Sequence, residues 1–122
     1  MTIEKCYELI EGNYNDVVSR LMDEKRVEKY MLRFLDTKDF DDLTDGINSE
    51  DLKKAFLAAH TIKGIALNLG FTKYAESSSE LCEYLRPLSV SDNNKLKNMY
   101  ESVKNDYEKL VKVINQYKEE LN

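Results

Sequence analysis

The chain has 122 residues, 34% of them charged, with one proline, four glycines, no tryptophan and a formal net charge of −5. This length suits one domain, residues 1–122, with a single core that needs no metal or disulfide staple, and so little glycine and proline disfavours a fold of strands and tight turns. An acidic balance without a basic block argues against nucleic acid. No apolar stretch approaches the roughly 20 residues of a membrane span, and the first residues hold no apolar run of signal-peptide length, so no membrane association and a cytoplasmic location are expected.

Apolar residues recur at helical spacing almost throughout. A first helix is expected over Ile3 to Glu11, carrying Ile3, Tyr7 and Ile10 and ended by Gly12. Asn15 or Asp16 is the expected cap of a short second helix with Val17, Val18 and Leu21. A third spans Asp23 to Asp36, with Val27, Tyr30, Met31, Phe34 and Leu35 on its apolar side. Asp39 to Ile47 reads as a short amphipathic helix or turn around Phe40, Leu43 and Ile47. Asn48 or Ser49 is the expected cap of the next helix, which runs to Leu69 and closes at Gly70. Thr72 caps a helix to about Leu85, stopped by Pro87, and Ser91 caps a last one reaching almost to the C-terminus. Short connections between long helices favour antiparallel neighbours and predict an all-α, up-down bundle.

The last helix carries Leu96, Tyr100, Val103, Tyr107, Leu110, Ile114, Tyr117 and Leu121 at alternating spacings of four and three. Such a seam serves an intramolecular bundle or a coiled-coil dimer. The bundle, and hence a monomer, is the favoured reading. Some 30 residues at about 1.5 Å each give a rod of roughly 45 Å, long enough to overhang its shorter neighbours. Cys6 and Cys82 lie far apart, without metal-ligand spacing, and are expected to be reduced thiols.

His60 is the only histidine. A projection at about 100° per residue places Leu52, Ala55, Phe56, Ala59, Ile62, Ala66 and Leu69 on one buried stripe. His60 and Gly64 fall outside it with Lys53, Leu57, Leu67 and Asn68, and Lys63 lies on its border. A neutral imidazole is a nucleophile able to carry a phosphoryl group. A glycine within a helix costs about 1 kcal/mol relative to alanine. Placed one turn beyond an outward imidazole, its missing side chain lets a partner approach the ring. Lys63, three residues on, is within reach of phosphoryl oxygens on His60. Leu57 and Leu67 flank the histidine, either under another helix or as an apolar docking patch.

His60-Thr-Ile-Lys63-Gly64, with the preceding Ala58-Ala59, the later Asn68-Leu69-Gly70 and Leu81-Cys82-Glu83 on the following helix, resembles the histidine-containing phosphotransfer (HPt) domain family. The resemblance covers roughly Asp16 to Leu85, including Asp16-Val-Val-Ser-Arg-Leu-Met and Tyr30-Met-Leu-Arg-Phe-Leu, and the first and last helices match in pattern only. It implies a phosphorelay intermediate built on an antiparallel up-down four-helix bundle with an accessory N-terminal helix or helices. His60, through Nε2, would take a phosphoryl group from a receiver-domain aspartate and pass it to another response regulator, with a hybrid sensor histidine kinase upstream. Lys63 would support the phosphohistidine, Gly64 would keep access open, and Lys53, Leu57, Thr61, Leu67 and Asn68 would form the docking surface. Such a protein is a phosphocarrier rather than an enzyme, with no cofactor or metal of its own; magnesium belongs to the receiver.

Three positions depart from the family pattern. Ile65 and Leu67 are bulky where small residues often follow the glycine, and Cys82 stands where a polar residue commonly faces the histidine. The alternative reading is a degenerate helical interaction module without phosphotransfer, dimerising through its last helix. The joint presence of His60, Lys63 and Gly64 argues against it. A hydrolase or metal enzyme lacks a ligand set, and a kinase would need the nucleotide-binding machinery that this chain does not contain.

Overall fold

In the computed structural model, residues 1–121 are described, and they form seven helices and no strand: α1 (Ile3–Leu9), α2 (Tyr14–Leu21), α3 (Glu24–Phe34), α4 (Asp39–Asn48), α5 (Leu52–Leu69), α6 (Thr72–Leu85) and α7 (Asn93–Glu120). None is long and apolar enough to cross a membrane. Consecutive helices pack on one another from α4 to α7, and their connections are short, so the chain runs up and down. The bundle closes between its first and last members. Phe40 of α4 stacks on Tyr107 of α7 at 4.3 Å between centroids, and the Thr44 and Tyr100 hydroxyls share a 2.7 Å hydrogen bond. The expected four-helix bundle is therefore α4–α7, with α1, α2 and α3 added to it.

Aromatic rings run through the core as a connected series. Tyr7, Phe71, Phe34, Tyr74, Tyr107 and Phe40 follow one another at centroid separations of 5.9, 5.1, 5.9, 6.0 and 4.3 Å. They join α1, α3, α4, α6 and α7, and each pair contributes up to about 1 kcal/mol beyond its area burial. Small residues set the closest helix approach: a Cβ added to Gly46 of α4 would lie 2.6 Å from the backbone nitrogen of Ala55 on α5.

The seam of α7 lies within the chain. Its 28 residues, about 42 Å, outreach the ten of α4, yet the excess does not project bare. α1 and α3 both pack on α7. Val103, Leu110, Val113, Ile114 and Tyr117 are buried, and the Tyr117 hydroxyl donates to the Glu28 carboxylate on α3. Only Leu121, expected in the seam, is exposed. Tyr30, expected on the apolar side of α3, is also exposed, with its ring beside the Arg33 guanidinium.

The expected N-caps need correction. Asn13, rather than Asn15 or Asp16, caps α2, because Tyr14 is already helical and packs its ring 5.7 Å from Tyr7. Asp51 caps α5; Asn48 ends α4, and Ser49 donates both its amide and its hydroxyl to the Asp45 carbonyl. Thr72 is the first residue of α6 rather than its cap, since the buried Phe71 takes the cap position. Asp92 caps α7 in place of Ser91, its backbone carbonyl held by the Tyr84 hydroxyl at 3.1 Å. The expected short helix or turn at Asp39 is a full helix.

Candidate functional site

α5 has two faces of opposite character. Ala55, Ala58, Ala59, Ile62, Ala66 and Leu69 are buried, matching the expected stripe with Ala58 added; Leu52 and Phe56 are half-buried. The C-terminal end is tied down carbonyl by carbonyl. Gly70 adopts the left-handed conformation (φ 71°), and the Phe71 amide returns to the Ala66 carbonyl at 2.9 Å. Arg20 of α2 donates to the Leu67 and Asn68 carbonyls at 2.8 and 2.6 Å, and its other nitrogen pairs with Asp16. The buried Tyr7 hydroxyl donates to Leu69 at 2.6 Å. Every carbonyl that the last turn leaves without a helical partner thus meets a donor from elsewhere, which fixes the axis on which His60 stands.

The opposite face is open. His60 is exposed, its ring edge-on to Phe56 at 6.1 Å and 70°. Around Gly64 there is free space: a Cβ built there meets nothing within 4 Å. Lys63 is half-buried at the border between the faces. Leu57 and Leu67 are 53% and 54% exposed, so of the two readings left open the covering helix is excluded and an apolar flank on either side of His60 stands. Lys53, Thr61 and Asn68 are exposed on the same side, although the Thr61 hydroxyl turns back to the Leu57 carbonyl at 3.0 Å. Ile65, one of the two bulky departures, is half-buried and packs against the core, so only Leu67 adds bulk to the open face.

Two hollows adjoin this face. One, of about 440 Å³, lies toward α4 and is lined by Lys53, Leu57 and Thr61 with Asp42 and Asp51. The other, of about 510 Å³, lies where α2, α5 and α6 meet and is lined by Lys63 and Leu67 with Asp16, Glu76 and Glu80. Among the described residues, no group of three or more His, Cys, Asp and Glu side chains converges to hold a metal ion.

From α6 the structure brings one residue that sequence reasoning did not single out, Arg86, and it reassigns the roles of Cys82 and Glu83. Cys82 is fully buried, and burial pushes its thiol up, so it does not stand on the surface with His60. Its neighbour Glu83 does. Arg86 donates to Glu83 through Nη2 at 2.8 Å and Nε at 3.1 Å, and its guanidinium lies 5.3 Å from the centroid of Phe56, the ring that His60 also touches. The Glu83 carboxyl is held below its ordinary value, first by the Arg86 hydrogen bond and then by nearby positive charge, that of Arg86 before that of Lys63. The spacing Glu83…Arg86 is a helix-neighbour signal legible in the sequence. Proximity to His60 is not, because it arises only when α6 packs on α5.

An exposed imidazole, a half-buried lysine beside it and open space one turn on thus share one face of a bundle helix whose C-terminal end is tied down. The Hpt domain family model matches residues 35–106, a span holding α4, α5, α6 and the first half of α7. No curated protein and no solved structure matches the chain significantly. The matched span is more than half of the chain and contains the His60 face entire, and the chain belongs to the Hpt domain family, the helical-bundle domains of histidine phosphotransfer.

Proposed function

We propose that His60 is the phosphoacceptor of a phosphorelay, taking a phosphoryl group from the aspartyl phosphate of one receiver domain and giving it to another. The observation that carries this is the pairing of an exposed imidazole with empty space at Gly64 on the same face. A neutral ring nitrogen attacks phosphorus, the N–P bond forms, and the bond from phosphorus to the aspartyl oxygen breaks, releasing the carboxylate. The other ring nitrogen keeps its proton. Onward transfer is the reverse step on a second aspartate. Lys63 offsets the charge arriving on the helix face. Gly64 lets the receiver's phosphorylated carboxyl reach the ring, and Leu57 and Leu67, with Lys53, Thr61 and Asn68 around them, form the docking surface. Magnesium, where the reaction uses it, is expected on the receiver. A hybrid sensor histidine kinase fits as the upstream source, with the protein acting as a cytoplasmic monomer.

With a panel of phosphorylated receiver domains and magnesium, label is expected to move to this chain as an acid-labile, alkali-stable adduct. His60→Gln abolishes it, since glutamine keeps hydrogen-bonding capacity but has no nucleophilic ring nitrogen. Lys63→Ala slows transfer by roughly fivefold or more, the effect of losing a charge-assisted contact of about 1–3 kcal/mol, without unfolding the bundle. Labelling that persists in His60→Gln rejects the assignment. Failure with every receiver, the fold being intact, selects the interaction module instead.

A further inference from the structure

Glu83 and Arg86 form an ion pair that the fold itself does not require. Both are exposed, and their side-chain hydrogen bonds among the described residues are made only to each other. What places the pair is Phe56. Arg86 sits over this ring while His60 meets it edge-on, so guanidinium and imidazole share one aromatic support. Lys63 and His60 both act electrostatically on the Glu83 carboxylate. One anion therefore already stands among three basic groups, where a phosphoryl group on His60 would need the same counter-charge.

We propose that Glu83 is a resident anion that occupies Arg86 while His60 is unmodified, and that Arg86 exchanges the Glu83 carboxylate for phosphoryl oxygens once His60 is phosphorylated. This rests on His60 being the phosphoacceptor. A phosphoryl group offers more negative charge and more acceptor oxygens than a carboxylate, and the planar guanidinium fork fits either bidentately. The face of Phe56 supports the guanidinium on both sides of the exchange, so moving it toward His60 need not forfeit the cation–π contact. Glu83 then acts against the phosphorylated state twice, by competing for Arg86 and by repelling the phosphoryl charge. It is a positioning residue whose effect is a phosphohistidine held loosely enough to be passed on.

The test uses the whole chain and phosphoramidate, which gives its phosphoryl group to an imidazole and releases ammonia, so no partner needs to be known. The Arg86 Nε–H resonance, assigned by its loss in Arg86→Lys, is followed in ¹H–¹⁵N spectra before and after phosphorylation. A shift of this resonance in the wild-type chain, absent in His60→Gln, is expected. Glu83→Gln is expected to lengthen the phosphohistidine half-life by roughly twofold to fivefold, the range open to an exposed ion pair. Arg86→Ala shortens the half-life, and the added Glu83→Gln change loses most of its effect in that background. A phosphorylated chain whose Arg86 resonance does not move, or whose half-life is equal in wild type and Glu83→Gln, overturns the exchange and leaves the carrier role standing. A wild-type chain that forms no phosphohistidine overturns both.

Discussion

Gly46 and Gly64 are both glycines inside helices, and both differ from alanine in sequence terms by the same penalty of about 1 kcal/mol. Their surroundings are opposite. At Gly46, where α4 crosses α5, an added Cβ would sit 2.6, 2.9 and 3.0 Å from the nitrogen, Cα and Cβ of Ala55. At Gly64, on the outward face of α5, it would meet nothing within 4 Å. The first glycine is explained by packing inside the molecule. No packing among the described residues explains the second, whereas the proposed approach of a partner to His60 would. One side of α5 is thus closely packed against α4, and the other is open.

Gly46→Ala tests the packed face and carries the largest stability effect. Two of the three close atoms belong to the backbone of α5, so relief requires the helices to part. Overpacking of this kind outweighs the gain in helix propensity, and a net loss of about 1–3 kcal/mol is expected from denaturant unfolding. Unchanged stability would mean that α4 and α5 slide apart freely, and the contrast between the two glycines would collapse.

Tyr7→Phe probes the anchor at the end of α5, with a smaller effect. The hydroxyl is buried, and burial raises its pKa so that it remains a donor across the working pH range. Removing it leaves the Leu69 carbonyl without that donor, a loss of about 1–2 kcal/mol. Phosphotransfer at temperatures well below the midpoint is expected to be unaffected, because His60 lies more than two turns away along α5. A large loss of transfer at unchanged stability would show that the C-terminal anchor sets the orientation of the site.

Much of α5 is legible in the sequence alone. Period and composition separate Ala55, Ala59, Ile62, Ala66 and Leu69 from His60 and Gly64, because each residue of a straight helix turns by a fixed angle, 3.6 to the turn. The caps are less legible. Several residues near each helix start can accept a backbone hydrogen bond, and the choice among them is made by the burial of a neighbour or a turn of the backbone. Phe71 goes inside, which moves the start of α6 back past Thr72; Glu50 turns the chain in the left-handed region (φ 56°), which hands the cap of α5 to Asp51. Arg86 is hidden for a different reason. Phe56 and His60 lie on another helix, and nothing local to Glu83-Tyr-Leu-Arg86 says which ring the guanidinium will cover.

Gly64→Ala sharpens the comparison from the open face, with the smallest change in stability and the opposite sign. The new methyl group enters solvent, the helix gains propensity, and the unfolded chain loses freedom, so stability is expected to rise by up to about 1 kcal/mol. Transfer to and from a receiver is expected to fall all the same, because the methyl group stands on the approach to His60. Phosphoramidate, a donor small enough to pass a single methyl group, should label the variant at nearly the wild-type rate. That combination separates a blocked partner from a damaged nucleophile. Reduced stability would place an unseen contact against Gly64 and remove its contrast with Gly46. Equal losses with receiver and phosphoramidate would locate the defect in the His60 ring, and the open space beside it would need another explanation.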